Sequence, residues 1–237
     1  MSASEAAAKA TIFEPGRALA VALGLSFTAG FVDTCGFIAL FGLFTAHVTG
    51  NIVVIGSDLV DRSHGIVTKL LALPTFVLVV AATRLLVAWH QAKGRDAVKA
   101  LLAVQAVLLA GFMAAGIAIS PPQSPDALPV MLTGLLGVAA MAVQNAKSRL
   151  LLSAYTPTTV MTGNLTQLVI DGVDLLRPLP AELRAVAKAR IAKVAPVALG
   201  FVTGAITAAL LYTAFGFACL AIPVAVLVAL AVTIRPS

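Results

Sequence analysis

Charge is what this sequence lacks. Of its 237 residues, 11% are Asp, Glu, Lys or Arg, against roughly 25% in an ordinary soluble domain. So few charges cannot cover a globule of this size in water, which excludes a soluble enzyme and a disordered chain. Glutamate is confined to Glu5, Glu14 and Glu182, all outside the apolar runs. The two cysteines, Cys35 and Cys219, lie inside apolar runs. They read as free core thiols, not as a disulfide framework. His47, His64 and His90 are dispersed, and there is no H-E-x-x-H or G-x-S-x-G. Hence no catalytic residue, metal site or cofactor is expected. No basic patch is interleaved with aromatics, so the net charge of +6 does not point to nucleic acid. The first 17 residues lack the basic start, apolar stretch and cleavage site of a signal peptide, and read as a cytoplasmic tail.

What is present is apolar. Residues AVILMFWYC make up 60% of the chain, and the mean hydropathy is +1.02. The sequence therefore predicts an all-α, polytopic membrane protein whose first partner is the lipid bilayer. A helix needs about 20 apolar residues to cross ~30 Å of hydrocarbon. Segments 18–42, 67–89, 99–119, 128–146, 193–213 and 216–233 qualify or come close. Stretches 43–60 and 157–174 are apolar but interrupted by polar residues and glycines. If both crossed, the basic residues would divide ten against five between the two sides. If both re-enter on the side they left, thirteen face one side, and Arg62 and Lys69 face the other. Cytoplasmic loops collect Lys and Arg, so the expectation is six spans and two re-entrant segments, with both termini cytoplasmic.

The interrupted stretches are copies of each other. TAHVTGNIVVIGSDLV (Thr45 to Val60) and TTVMTGNLTQLVIDGV (Thr158 to Val173) align at an offset of 113, with six of sixteen positions identical. Each is preceded by a span carrying polar residues and followed by two further spans. Three spans per copy is odd, so the second copy must enter from the opposite side. This predicts a 3+3 inverted repeat, with a first membrane repeat at 18–119, a second at 128–233 and a hinge at 120–127. Secondary transporters are often built this way, with the site at the midplane between the halves.

GFVDTCGFIALFGLFTAHVTGNIVVIG and VQNAKSRLLLSAYTPTTVMTGNLTQL resemble the YoaK family of bacterial membrane proteins. Asp33, Thr49-Gly50-Asn51, Gln144-Asn145 and Thr162-Gly163-Asn164 carry the resemblance. It implies about six spans in a bacterial inner membrane and implies no activity.

The candidate substrate residues are Thr49, Gly50, Asn51, Thr162, Gly163, Asn164, Gln144 and Asn145. On the functional reading, two half-helix N-termini offer N–H donors to a polar or anionic solute. On the structural reading, Thr and Asn only cap helix starts. Asp33 costs roughly 3 kcal/mol at a span centre, which suggests a proton or cation coupling site, with Arg84 as its ion-pair partner. His47 is either a pH-sensing gate or an interfacial polar residue, the latter favoured. Asp58 and Asp171 read as tethers awaiting a cationic partner. Gly200 and Gly204 predict a close helix crossing, Trp89 and His90 an interfacial belt, and 177–192 a basic stretch on anionic lipid. The expected function is a small secondary transporter or channel. A non-transporting subunit or regulator is the alternative, and an intramembrane enzyme is the weakest reading. A homodimer is compatible with the size, but no motif specifies one.

Overall fold

The computed structural model describes residues 15–61 and 65–233, which leaves most of the N-terminal tail, Arg62 and His64 outside the described residues. Every regular element among the described residues is helical. The order is α1 (Pro15–Ala39), α2 (Gly50–Asp61), α3 (Ile66–Ala92), α4 (Val98–Ala118), α5 (Leu128–Leu150), α6 (Met161–Leu176), α7 (Ala181–Phe215), a 3-10 turn (Gly216–Leu220) and α8 (Ala221–Thr233). Five stretches are long and apolar enough to cross a membrane: Ala18–Ala39, Ile66–Ala92, Val98–Ala118, Leu128–Leu150 and Ala181–Thr233. The two interrupted segments yield short helices, whereas the 13-residue α8 continues the apolar stretch that begins in α7. α2 has 12 residues and α6 has 16. At ~1.5 Å per residue, both fall short of ~30 Å of hydrocarbon.

Side-chain contacts give the direction of each helix. Ser26 of α1 donates to the Val197 carbonyl of α7, and Phe27 and Gly30 meet Gly204 and Ala205. α1 and α7 therefore run the same way. Gly24 meets Val226 and Leu230 of α8, while the Cys35 thiol meets Cys219. α8 therefore runs opposite to α1, and the 53-residue apolar stretch doubles back at Gly216, whose φ is +53°. Both cysteines are free and buried, as the sequence predicts.

The interrupted segments also return to where they started. Leu40 and Thr68 both pack on Gly134 of α5, so the described residues on either side of the first interrupted segment meet at one end of the bundle. At the other end, Thr156 reaches Lys193 and Met161 clusters with Ala22 and Val197, so residues 151–180 leave and rejoin there. Lys93, Arg95, Lys99, Arg149, Arg177, Arg184, Lys188, Arg190 and Lys193 gather at that second end. Lys69 lies at the first.

α1 packs on α7 through small residues. A Cβ on Gly204 would collide with the Phe27 backbone, and one on Gly30 with the Phe201 carbonyl. In lipid the outside is as apolar as the inside, so close van der Waals packing replaces the hydrophobic effect between helices. The outward faces stay apolar, as at Leu78, Leu85 and Val107, where lipid covers them.

Two expected boundaries change. The fourth expected span, 128–146, extends to Leu150, which takes Lys147 out of the loop and buries it. The basic stretch 177–192 is not a separate surface helix. From Ala181 it forms the first turns of α7, because the span that follows nucleates a helix into which Ala, Leu, Arg and Lys all fit.

Candidate functional site

The first interrupted segment is built around Asp33. α1 ends in a left-handed pair, Phe41 and Gly42 (φ +54° and +80°), and the Gly42 N–H closes the turn on Phe37 O at 3.0 Å. The chain then folds back along α1, and Asp33 captures it. Asp33 Oδ1 accepts from Thr45 N (2.8 Å), Ala46 N (2.6 Å), His47 N (3.4 Å) and Thr45 Oγ1 (3.3 Å). Asp33 Oδ2 lies 2.7 Å from His47 Nδ1. A carboxylate only accepts, so this pair places the imidazole proton on Nδ1 and leaves Nε2 free. Asp33 is buried, whereas the His47 side chain is 36% exposed.

His47 faces a cleft of about 550 Å³ lined by Asp33, Thr34, Phe37, Phe44, His47, Thr49, Gly50 and Phe201. The rings form a chain around it. Phe37 and Phe44 lie 4.8 Å apart, Phe44 and His47 6.3 Å, and His47 and Phe201 5.5 Å. Gly50, Asn51 and Ile52 give their N–H groups to the carbonyls of His47, Val48 and Thr49. The first N–H groups of α2, expected to receive an anion at this tip, are therefore already used.

Asn51 is a staple. Its Oδ1 accepts from Phe44 N at 2.9 Å and its Nδ2 donates to Phe44 O at 2.8 Å. Asn164 repeats half of this device by donating to Pro157 O at 2.8 Å. Pro157 has no N–H to return.

In the second interrupted segment, neutral side chains hold the loop that leads into α6. Asn145 Oδ1 accepts from Thr159 Oγ1 at 2.7 Å. Gln144 donates to Thr158 Oγ1 at 3.1 Å and to Leu25 O at 2.7 Å. Thr162 and Gly163 are exposed, and Thr162 borders a groove on the outer face of α6.

A family model for a protein of unknown function, DUF1275, matches residues 21–233. The chain belongs to the DUF1275 family. It is also 31% identical over 149 residues to the UPF0700 transmembrane protein YoaK of Bacillus subtilis (strain 168), an alignment covering 62% of this chain. The alignment spans 64% of that relative, a little under two thirds of its length. No solved structure matches the chain.

In this DUF1275 protein the two Thr-Gly-Asn sequences do not meet. The first segment packs at Asp33 and Gly36 of α1. The second packs at Ala22 and Leu25, roughly ten residues or ~15 Å lower on the helix. Between them lies Thr28, whose buried hydroxyl has no hydrogen-bond partner among the described residues.

The expected Asp33–Arg84 pair is absent. Arg84 is exposed on α3 and makes no hydrogen bond or ion pair among the described residues, while Asp33 takes His47. Backbone N–H groups and an imidazole from its own neighbourhood satisfy the carboxylate without a distant cation. Asp58 and Asp171 do find the expected tethers. Lys69 Nζ lies 2.6 Å from Asp58, and Arg190 grips Asp171 through Nε and a second nitrogen at 3.1 and 2.6 Å.

Lys147 is the residue that sequence reading missed. It is fully buried and donates to Gln105 Oε1 at 2.8 Å. Gln105 donates to Gln144 at 2.6 Å, so the network reaches Thr158. The available signal was spacing: Gln144 and Lys147 stand three apart and share a helix face.

Proposed function

We propose that this DUF1275 protein is a small secondary transporter or channel for a polar solute in the plasma membrane, and that the cleft at the first interrupted segment is its binding site. The observation that carries the reading is the Asp33–His47 pair, at 2.7 Å, opening onto a cleft of about 550 Å³. A buried acid is costly in a membrane interior and marks a pathway by default. Here it backs an imidazole, the side chain that exchanges a proton near neutral pH. Both lie in a non-helical segment, which a membrane tolerates only beside protein or water.

The same reading takes α1, α3, α4, α5, α7 and α8 as six crossings and the two halves as a 3+3 inverted repeat. The opposite ends of return at 40–65 and 151–180 support it. The gathering of basic residues at one end supports cytoplasmic termini. Thr28 would be the polar step between the two loops. No catalytic role is assigned to any residue.

The test uses proteoliposomes holding a pH-sensitive dye. Amines, carboxylates, amino acids and polyols are applied in turn, with protein-free vesicles as the baseline. A solute-driven proton movement is expected in the wild type and lost in His47→Gln. Equal signals from both proteins would remove His47. No signal above baseline with any solute class would favour the non-transporting reading.

A further inference from the structure

We propose that the cleft takes an organic ammonium carrying an apolar or aromatic body. This deepens the transporter reading of the same site and rests on it for the claim of transport, but not for the claim of binding.

Three observations select the class. First, the α2 N–H groups at the tip are consumed by the carbonyls of His47, Val48 and Thr49, and the wall holds a carboxylate. An anion finds only the Thr34 and Thr49 hydroxyls as donors and meets a like charge. Second, apart from Asp33 and His47, the polar lining consists of Thr34 and Thr49. That is too little to replace the hydration of a sugar or polyol, whose hydroxyls would be left unpaired at a cost. Third, Phe37, Phe44 and Phe201 surround the imidazole. Aromatic faces attract a cation and also bury an apolar body.

The imidazole fits the same class. With Nδ1–H held by Asp33, the neutral ring presents the Nε2 lone pair to the cleft, and an ammonium N–H can donate to it; the Asp33 carboxylate raises the pH below which the ring is protonated instead. Asp33 then neutralises the bound charge through the ring. A proton on Nε2 would remove that acceptor and place a second cation in the site. Proton and amine therefore compete for one position, the arrangement an exchanger requires. Among the described residues Asp33 is the one charged group acting on the imidazole. Phe44 and Phe201 face it from the loop and from α7, and Thr49 from the start of α2.

The experiment measures equilibrium binding to the purified full chain in detergent. Three probes share one ring and chain: 2-phenylethylammonium, phenylacetate and 2-phenylethanol. The ammonium should bind at least about tenfold tighter than either of the others, since desolvated cation–π contact and charge both act on it alone. Its affinity should fall as the pH drops through the range where imidazole gains a proton. Phe201→Leu lies outside the loop that Asp33 organises and keeps an apolar side chain at the α1–α7 contact. It should weaken the ammonium by about tenfold and leave 2-phenylethanol within about threefold, because a leucine still buries the ring.

Phenylacetate binding as tightly as the ammonium would overturn the proposal. So would an ammonium affinity unchanged by Phe201→Leu. Ammonium binding without flux in proteoliposomes would uphold the recognition and overturn the transporter reading. Flux of another solute class with no ammonium binding would do the reverse.

Discussion

The two interrupted segments share a sequence pattern and a fold device, but the residue that holds the loop before each short helix is charged in one and neutral in the other. In the first, Asp33 gathers three backbone N–H groups, the Thr45 hydroxyl and His47. In the second, Asn145 and Gln144 hold Thr159 and Thr158 through neutral bonds. The position matching His47 at the repeat offset is Val160, and the one matching Phe44 is Pro157. The first segment thus has a titratable group over a cleft, and the second has an apolar side chain. A duplicated loop need not carry a duplicated site. Both segments end in a short helix, while a titratable side chain over a cleft is found in one.

The comparison breaks outright if the loops do not enter from opposite ends. With Cys35 and Cys219 replaced by Ala, Val60→Cys and Ser124→Cys should both label when an impermeant maleimide is added outside intact cells, and Gln91→Cys should not. Gln91→Cys labelling from outside, with Val60→Cys and Ser124→Cys protected, would mean that residues 43–60 cross.

The next largest effect concerns the organising residue of each loop. Asp33→Ala removes up to five acceptor contacts and should lower stability by about 3 kcal/mol or more, as charge-assisted bonds contribute roughly twice what neutral ones do. Asn145→Ala removes one bond from Thr159 and should cost about 1 kcal/mol. Thermal melting in detergent reads both, and equal losses would deny the asymmetry.

The tethers differ in the same direction. Asp58→Asn leaves Lys69, whose side chain is 2% exposed, as a buried cation without its acid. That should cost about 3 kcal/mol. Asp171→Asn leaves Arg190, whose side chain is 49% exposed, where water and headgroups solvate it. The cost there should be nearer 1 kcal/mol.

The smallest effect separates the two motif glycines. A Cβ on Gly50 meets the Phe44 ring, while one on Gly163 meets only the Val160 side chain at ordinary contact. Gly50→Ala should therefore push a wall of the cleft and cost about 1 kcal/mol through overpacking. Gly163→Ala should be neutral or stabilise by up to about 1 kcal/mol, since alanine favours helix. Melting temperatures measured side by side decide this.

Much of this was legible in the residues. The shortness of α2 and α6 follows from glycine and polar interruptions that leave too few apolar residues to span. The Asp58 and Asp171 tethers follow from acids recurring where a helix dipole does not want them. Gly200 and Gly204 announce the α1–α7 crossing. The partner of Asp33 was not legible. α1 is apolar on all sides, so its sequence does not say which face turns inward, and the fourteen-residue return from Asp33 to His47 depends on a turn at Phe41 and Gly42. Lys147 was hidden for a related reason. Standing three residues before the end of α5, it is a loop residue by charge and a core residue by helix phase.

The sequence by itself determined the class and the plan. Low charge and long apolar runs require a bilayer. The repeat at offset 113 sets two interrupted segments in equivalent places. Only the tertiary structure decided that the two loops stop at different depths on α1, that Asp33 takes His47 and not Arg84, and that one loop alone opens on an aromatic cleft. The physical reason is that in lipid the helix exteriors are interchangeable by hydrophobicity. Inward and outward faces are chosen by close packing and by satisfying buried polar groups, and both depend on neighbours distant in sequence.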